Sequence, residues 1–428
     1  MALSDLSVPV PPVAPPTPAA PEPRLRRMTF GLLMVYVAIL AVNSAGNGIL
    51  LPNIVAGIDE AGKIGNLAFV TTVAFVANIF AQPLAGAFSD ATRSRFGRRA
   101  PWMVGGALLT SGFLLGLPLA QSVLAVAAVW LVVQVGVNAL QAAATALVPD
   151  RYPPARRGGV SAMIGVGITI GNAVGVVVAG GTATQGYLPY IVLALLMVVV
   201  VGVFVVVNRD ESSAHLPRER TTAKEFLRGF WVSPRQHPDF AWAFASRFLM
   251  VIGFYGAQTY GLYILRDYIG LSDAESNSFA ATMGVVLLVG VLLSALVSGW
   301  LSDKVGRRKP FIVWSSVVMS IALAIPLVVP TTSGILAYAF LLGLGFGVYI
   351  SIDLALMTEV LPARLQGESS AGRDLAILGL ATTLPQAMSP SIAAALVTVT
   401  GGYPALFVSG IVFVMLGAAL VRPIKAVR

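Results

Sequence analysis

Two ionisable residues stand inside long apolar runs: Arg247 in ASRFLMVIGFYGAQTYGLYIL and Asp353 in GFGVYISIDLALMTEVLP. A charge in such surroundings is costly unless it is paired or faces water, so each marks a functional position by default. Measured from the same side of the predicted spans, Arg247 lies ~10 Å and Asp353 ~12 Å along its helix. The two are therefore expected at similar depth and in contact. An aspartate whose surroundings change between two states can take up and release a proton, which makes Asp353, with Arg247, the candidate coupling pair. The competing reading is a static ion pair holding two helices together.

Neutral polar residues form a second pattern. Gln134, Asn138, Gln141 and Thr145 recur at helical spacing and share one face of one predicted helix. Amide and hydroxyl groups on one face suit a hydroxylated solute. They also suit hydrogen bonding between helices. Asn43, Ser44, Asn47 and Asn172 could extend the surface. From the second half of the chain come Tyr255, Gln258, Thr259 and Gln386, the last lying between Pro385 and Pro390. Cysteine is absent, and the two histidines, His215 and His237, share one polar loop. No metal site, cofactor or catalytic triad is expected, and the chain does not read as an enzyme.

The elements that carry these residues follow from hydropathy. Of 428 residues, 57% are hydrophobic and 11% charged, where a soluble domain is about one-quarter charged. About twelve apolar stretches, each near the ~20 residues that cross a bilayer, predict an all-α membrane protein. Residues 1–28 read as a proline-rich, disordered tail, and 29–207 as a six-helix bundle. Residues 208–239 read as a polar linker, and 240–428 as a second six-helix bundle with a short tail. With twelve crossings, 25 of the 28 Lys and Arg residues fall on the side of the two chain ends. The positive-inside rule makes that side cytoplasmic, in a multi-pass protein of the cell membrane. Only Lys63 and Arg266 fall on the other side. The net charge of +9 is spread over short loops without interleaved aromatics. That pattern fits membrane lipid and not nucleic acid.

The halves are related by sequence. Gly97-Arg98-Arg99-Ala100-Pro101 recurs as Gly306-Arg307-Arg308-Lys309-Pro310, Asp150 corresponds to Glu359, and Asp90 to Asp303. Duplication of a six-helix unit is the simplest account. A G-x-x-x-D stretch followed by G-R-R, present in both halves, resembles the signature loop of the major facilitator superfamily. The resemblance implies two pseudo-symmetric six-helix bundles, alternating access to a central site, and a monomer. It also implies that Asp90, Arg98, Arg99, Asp150, Asp303, Arg307, Arg308, Glu359, Arg373 and Asp374 form the gate on the cytoplasmic side. There each loop aspartate would pair with a nearby arginine and meet a helix N-terminus of the other half.

The first half also resembles the sucrose–proton symporters, through Gln82-Pro83-Leu84-Ala85-Gly86-Ala87-Phe88-Ser89-Asp90 and Ser94-Arg95-Phe96-Gly97-Arg98-Arg99. The Thr92–Gly97 string is similar to that of the glycoside–pentoside–hexuronide cation symporters. The chain departs from both groups where they place coupling charges, having Asn78 and Gln82 on the second span and Gln134 and Thr145 on the fourth. The expectation is therefore a transporter that moves a neutral polar solute, a sugar or glycoside, together with protons. A proton-driven exporter of drugs or metabolites is the alternative.

Overall fold

The computed structural model describes residues 22–209, 212–213, 238–305, 308–360 and 371–424. Among them twelve long helices run back and forth. Helix α1 comprises Glu22–Ala45, a π-helical turn Gly46–Leu50, and Leu51–Ile58. The others in the first half are α2 (Lys63–Ala91), α3 (Ala100–Gly116), α4 (Val123–Arg151), α5 (Pro154–Thr182) and α6 (Leu188–Val207). The second half has α7 (Pro238–Thr259), α8 (Asp273–Val305), α9 (Lys309–Val328), α10 (Thr332–Val360), α11 (Ala371–Thr400) and α12 (Pro404–Val421). Among the described residues, eleven of these helices, all but α11, contain an apolar window long enough to cross a membrane. Several exceed the hydrocarbon thickness: the 33 residues of α8 extend ~50 Å, against ~30 Å of bilayer core. Such helices are longer than the ~20 residues of an expected span.

Helix pairing reproduces the sequence repeat. α1 packs on α5 and α6, α2 on α4, and α3 on α4 and α6; six helices later, α7 packs on α11 and α12, α8 on α10, and α9 on α10 and α12. The halves join through α2 against α11 and α5 against α8, which are themselves counterparts. Two pseudo-symmetric six-helix bundles result.

The first helix begins at Glu22, inside the stretch expected to be a disordered tail. Its first turns are amphipathic, with Leu25 and Met28 buried. The Thr29 hydroxyl meets the Tyr152 hydroxyl at 3.0 Å, and Tyr152 also donates to the Leu25 carbonyl at 3.3 Å. Arg27 donates to the carbonyl of Val207 at the end of α6 at 3.1 Å. Packing and end-capping thus begin the helix earlier than composition alone suggests.

Small residues set the closest approaches. A Cβ on Gly167 would stand 2.6 Å from the Leu33 carbonyl oxygen, and one on Gly171 2.6 Å from that of Val37. The α1 and α5 backbones therefore touch along this seam, the means by which membrane helices pack without a hydrophobic driving force. Gly165, on the same helix, has open space where its side chain would be. We predict that Gly171→Val forces α1 and α5 apart and lowers the thermal unfolding midpoint of the purified protein, at a cost of about 1–3 kcal/mol. Gly165→Val should leave the midpoint unchanged. Equal effects of the two substitutions would contradict this packing.

Candidate functional site

In the first half, the polar stripe of α4 divides along its length. Gln134 and Asn138 are buried. Asn138 donates to Asn78 Oδ1 on α2 at 2.7 Å and to the Gln134 carbonyl at 2.7 Å. Nearer the chain-end face, Gln141 is half-buried and Thr145 exposed, and Thr145 meets the Tyr36 hydroxyl of α1 at 2.6 Å. Asn138 therefore bonds inside the bundle, Gln134 is buried beside it, and Gln141 and Thr145 border more open space.

Where α1 crosses α4, the π-helical turn places Gly46 directly against the Trp130 indole, and no Cβ fits between them. Asn47 follows, donating to the Asn43 carbonyl at 3.0 Å. One turn beyond Trp130 lies Gln134. Three polar atoms of this contact are buried without a hydrogen-bond partner: Asn47 Oδ1, Trp130 Nε1 and Gln134 Oε1. Buried polar atoms are rarely left so. Asn172 lies one turn from Val176, which packs on Gly284 of α8; its side chain is exposed, and its carbonyl accepts from Ser44 at 2.8 Å.

In the second half, Arg247 Nη1 lies 3.1 Å from Asp353 Oδ2, both side chains being largely buried between α7 and α10. The pair is an ion contact and not a set of aligned hydrogen bonds. Arg247 Nε and Nη1 are buried without hydrogen-bond partners, and the Tyr349 hydroxyl lies at the Asp353 carboxylate. The Tyr255 hydroxyl is at the Gln386 side chain, which joins α7 to α11. Thr259 bonds back to the Tyr255 carbonyl at 3.0 Å. Gln258 stands apart from these groups, in a small cavity bounded by Met283, Tyr338 and Phe407 within the second bundle.

The loop residues of the first half form one cluster. Arg99 is 2.5 Å from Asp90 and 3.0 Å from Asp150, and Arg98 is 2.7 Å from Asp150. Ser89 completes the ring by accepting from Arg99 at 3.0 Å. Of the corresponding residues in the second half, Arg308 caps α9. Arg307 and the side chains of Asp303, Glu359, Arg373 and Asp374 lie outside the described residues. Gly158 and Gly159, at the start of α5, have open space where a neighbour would pack.

The opposite face is closed. Lys63, at the start of α2, is buried and reaches Asp267 across the halves at 2.9 Å, and Glu60 in its own half at 2.6 Å. Asp267 also accepts from the Tyr403 hydroxyl at 2.5 Å. Asn53 donates to Asn277 at 2.9 Å and accepts from Arg266. The Tyr263 hydroxyl donates to the Pro52 carbonyl at 2.9 Å, and that of Tyr260 to the Ile64 carbonyl at 3.2 Å. Deeper in, Thr72 meets Ser391 at 2.9 Å. The loop carrying Glu60 is fixed by Asp59, which accepts from the Gly62 N–H and the Asn66 amide, each at 2.9 Å. Those bonds hold its carboxyl below the usual carboxylate range, so this support is present at neutral pH and is lost as pH falls through that lowered range. Sequence reasoning did not single out this cluster, although its two basic residues, Lys63 and Arg266, were the only ones on that side.

Two helical bundles paired about a pseudo-twofold axis and closed at one face define a polytopic membrane transporter. The model of the Major Facilitator Superfamily matches residues 33–372 and 276–427, and the chain belongs to that superfamily. The fold is similar to a bacterial homologue of the lysosomal transporter Spinster in an inward-facing conformation, with TM-score 0.67 and 14% identity, covering 95% of this chain and 96% of that one. It is also similar to a D-xylose–proton symporter, with TM-score 0.65 and 16% identity, covering 95% and 97%. Among curated relatives, the fujikurins efflux protein of Gibberella fujikuroi is 27% identical over 210 residues, 48% of this chain and 42% of that protein. The chain thus matches less than half the length of this relative.

Because the natural chain has no cysteine, closure can be tested with paired cysteines. Asn53→Cys with Asn277→Cys should be joined by a short thiol cross-linker in the purified protein, and joining should block transport. Separately, Lys63→Asp should weaken closure and Asp267→Lys in the same chain should restore it, read as the rate of cross-linking at 53 and 277. No rescue in the double variant would show that the ion pair does not hold the face shut.

Proposed function

We propose that the protein is a secondary active transporter that moves a neutral, hydroxylated solute, a sugar or glycoside, together with protons. The observation that carries this reading is the set of unpaired buried atoms where α1 meets α4. Asn47 Oδ1 and Gln134 Oε1 accept only, and Trp130 Nε1 donates only. A sugar hydroxyl both donates and accepts, so a polyol can satisfy all three, while a charged group would find no counter-charge among them. Asn43, Gln141, Thr145 and Asn172 extend this surface toward the chain-end face. Tyr255, Thr259 and Gln386 are its candidates from the second half, and Gln258, expected with them, is set apart in its own small cavity. The D-xylose–proton symporter with the same fold supports the substrate class.

Coupling is assigned to Asp353 and Arg247. When Asp353 is ionised the pair holds α7 and α10 together; protonation removes the attraction and frees Arg247 to move. With both chain ends cytoplasmic, as the distribution of basic residues supports, the closed face is extracellular and the described state faces inward. Closure of the cytoplasmic side would bring the Asp90, Arg98, Arg99 and Asp150 cluster against its counterparts at Asp303, Arg307, Arg308, Glu359, Arg373 and Asp374. Export is the second reading. The efflux protein among its relatives favours it, as does the lack of charge on the first-half surface.

The test is uptake into proteoliposomes of labelled sugars and glycosides, with and without an inward proton gradient. We expect gradient-driven accumulation of at least one of them. Asp353→Asn should abolish that accumulation while preserving exchange of labelled for unlabelled solute. Undiminished uphill uptake in this variant would remove Asp353 from the mechanism. Movement of lipophilic drugs against the gradient, with no sugar accumulated, would replace symport by export.

A further inference from the structure

A cleft in the first bundle opens on the face that carries the chain ends, remote from the polar groups assigned to the solute. Its walls are the first turns of α1 and α3 and the last turns of α4 and α6, and it encloses about 560 Å³ including its open mouth. Four arginines line it, Arg24, Arg99, Arg151 and Arg209, and no acidic residue does. Arg99 is neutralised from behind, because its guanidinium is held by Asp90 and Asp150. Arg24 and Arg209 are exposed at the rim. The α3 helix begins here at Ala100, so the positive end of its dipole adds to the field. Below the arginines the floor is apolar and buried, formed by Leu25, Met28, Met103, Leu147 and Phe204.

Two further features narrow the occupant. Asn208 Oδ1, on the cleft wall, is a buried acceptor without a partner. It calls for a donor on the ligand beside the anionic group. Along α6, next to the lining residue Val205, the side chains of Val203, Val206 and Val207 are all exposed. An apolar surface of this kind on a membrane-spanning helix borders lipid, so the cleft sits at the edge of the bilayer and not only at the aqueous surface. Basic pockets between membrane helices on the positively charged side are suited to lipid headgroups.

We infer that this cleft binds the headgroup of an anionic phospholipid, its phosphodiester facing Arg24 and Arg209 at the rim and a headgroup hydroxyl donating to Asn208. The first methylenes of the acyl chains lie over Leu25 and Met28. Bound there, the lipid ties the start of α1 to the end of α6 and adds to the bond from Arg27 to the Val207 carbonyl. The site is independent of the transported solute and of the coupling pair.

The test uses the full-length protein, purified in detergent and titrated with phosphatidylglycerol or phosphatidylcholine, with bound lipid counted by native mass spectrometry. We expect one phosphatidylglycerol to be retained in preference to phosphatidylcholine. Arg24→Gln with Arg209→Gln should weaken its binding about thirtyfold, from about fivefold per arginine near a charged headgroup. Val205→Trp keeps every charge and fills the cleft, and should also release the lipid. It tests the site even where the arginine variant is poorly folded. Unchanged retention in either folded variant would overturn the assignment. So would glycerol 1-phosphate binding as tightly as the lipid, because the site would then belong to a soluble phosphate ester.

Discussion

The architecture depends on an inequality between two kinds of helix contact. Within each half, helices meet backbone to backbone, as where Gly167 and Gly171 of α5 lie against the Leu33 and Val37 carbonyls of α1. Such seams cannot slide or open without losing many van der Waals contacts at once, so each bundle moves as a body. Between the halves, the hydrogen bonds and ion pairs found among the described residues are side-chain contacts toward the face opposite the chain ends. They include Lys63 to Asp267, Asn53 to Asn277, Arg266 to Asn53, Tyr263 to the Pro52 carbonyl, Tyr260 to the Ile64 carbonyl, and Thr72 to Ser391 and the Ala387 carbonyl. Beside them are close glycine contacts at Gly180 on the Asn277 carbonyl and at Gly284 on Val176. Water can replace the polar ones as the face opens, and the glycine contacts between the halves are isolated, whereas the α1–α5 seam repeats at Gly167, Gly171 and Gly175. Rigid halves joined by exchangeable contacts are what a two-state rotation needs.

Much of this was legible in the sequence, for a physical reason in each case. Apolar length reports membrane spans because nothing but a helix satisfies its own backbone in lipid. The Gly97–Pro101 repeat at Gly306–Pro310 reported the duplication that now appears as matched helix pairs. The closed face was harder to read. Its partners come from four separate stretches around positions 53–64, 260–277, 387–391 and 403, and most are tyrosine, asparagine or backbone carbonyl, which carry no distinctive spacing. Lys63 and Arg266 were visible only as exceptions to the charge asymmetry. Nor does periodicity reveal what a face meets. It put Gln134, Asn138, Gln141 and Thr145 in one row, while the neighbouring Asn78 decides that Asn138 bonds within the bundle. Likewise Gly165 and Gly167 look alike in sequence, yet only one of them touches α1.

The contact between Arg247 and Asp353 has a geometry that bears on its purpose. A buried ion pair gains stability only when its remaining donors and acceptors are also satisfied; otherwise desolvation cancels the attraction. A pair selected to fasten α7 to α10 would present an aligned, bidentate arrangement with every N–H used. Here Arg247 Nη1 stands 3.1 Å from the carboxylate without an aligned hydrogen bond, and Arg247 Nε is unpartnered too. As a fastening this is poor, since amide side chains like the Asn138–Asn78 pair would hold two helices without burying charge. An incompletely satisfied pair has a small energy difference between its joined and separated forms. That property suits a group made and broken in every cycle, and it is the physical argument for our proposal that coupling lies at Asp353 and not in the neutral first half.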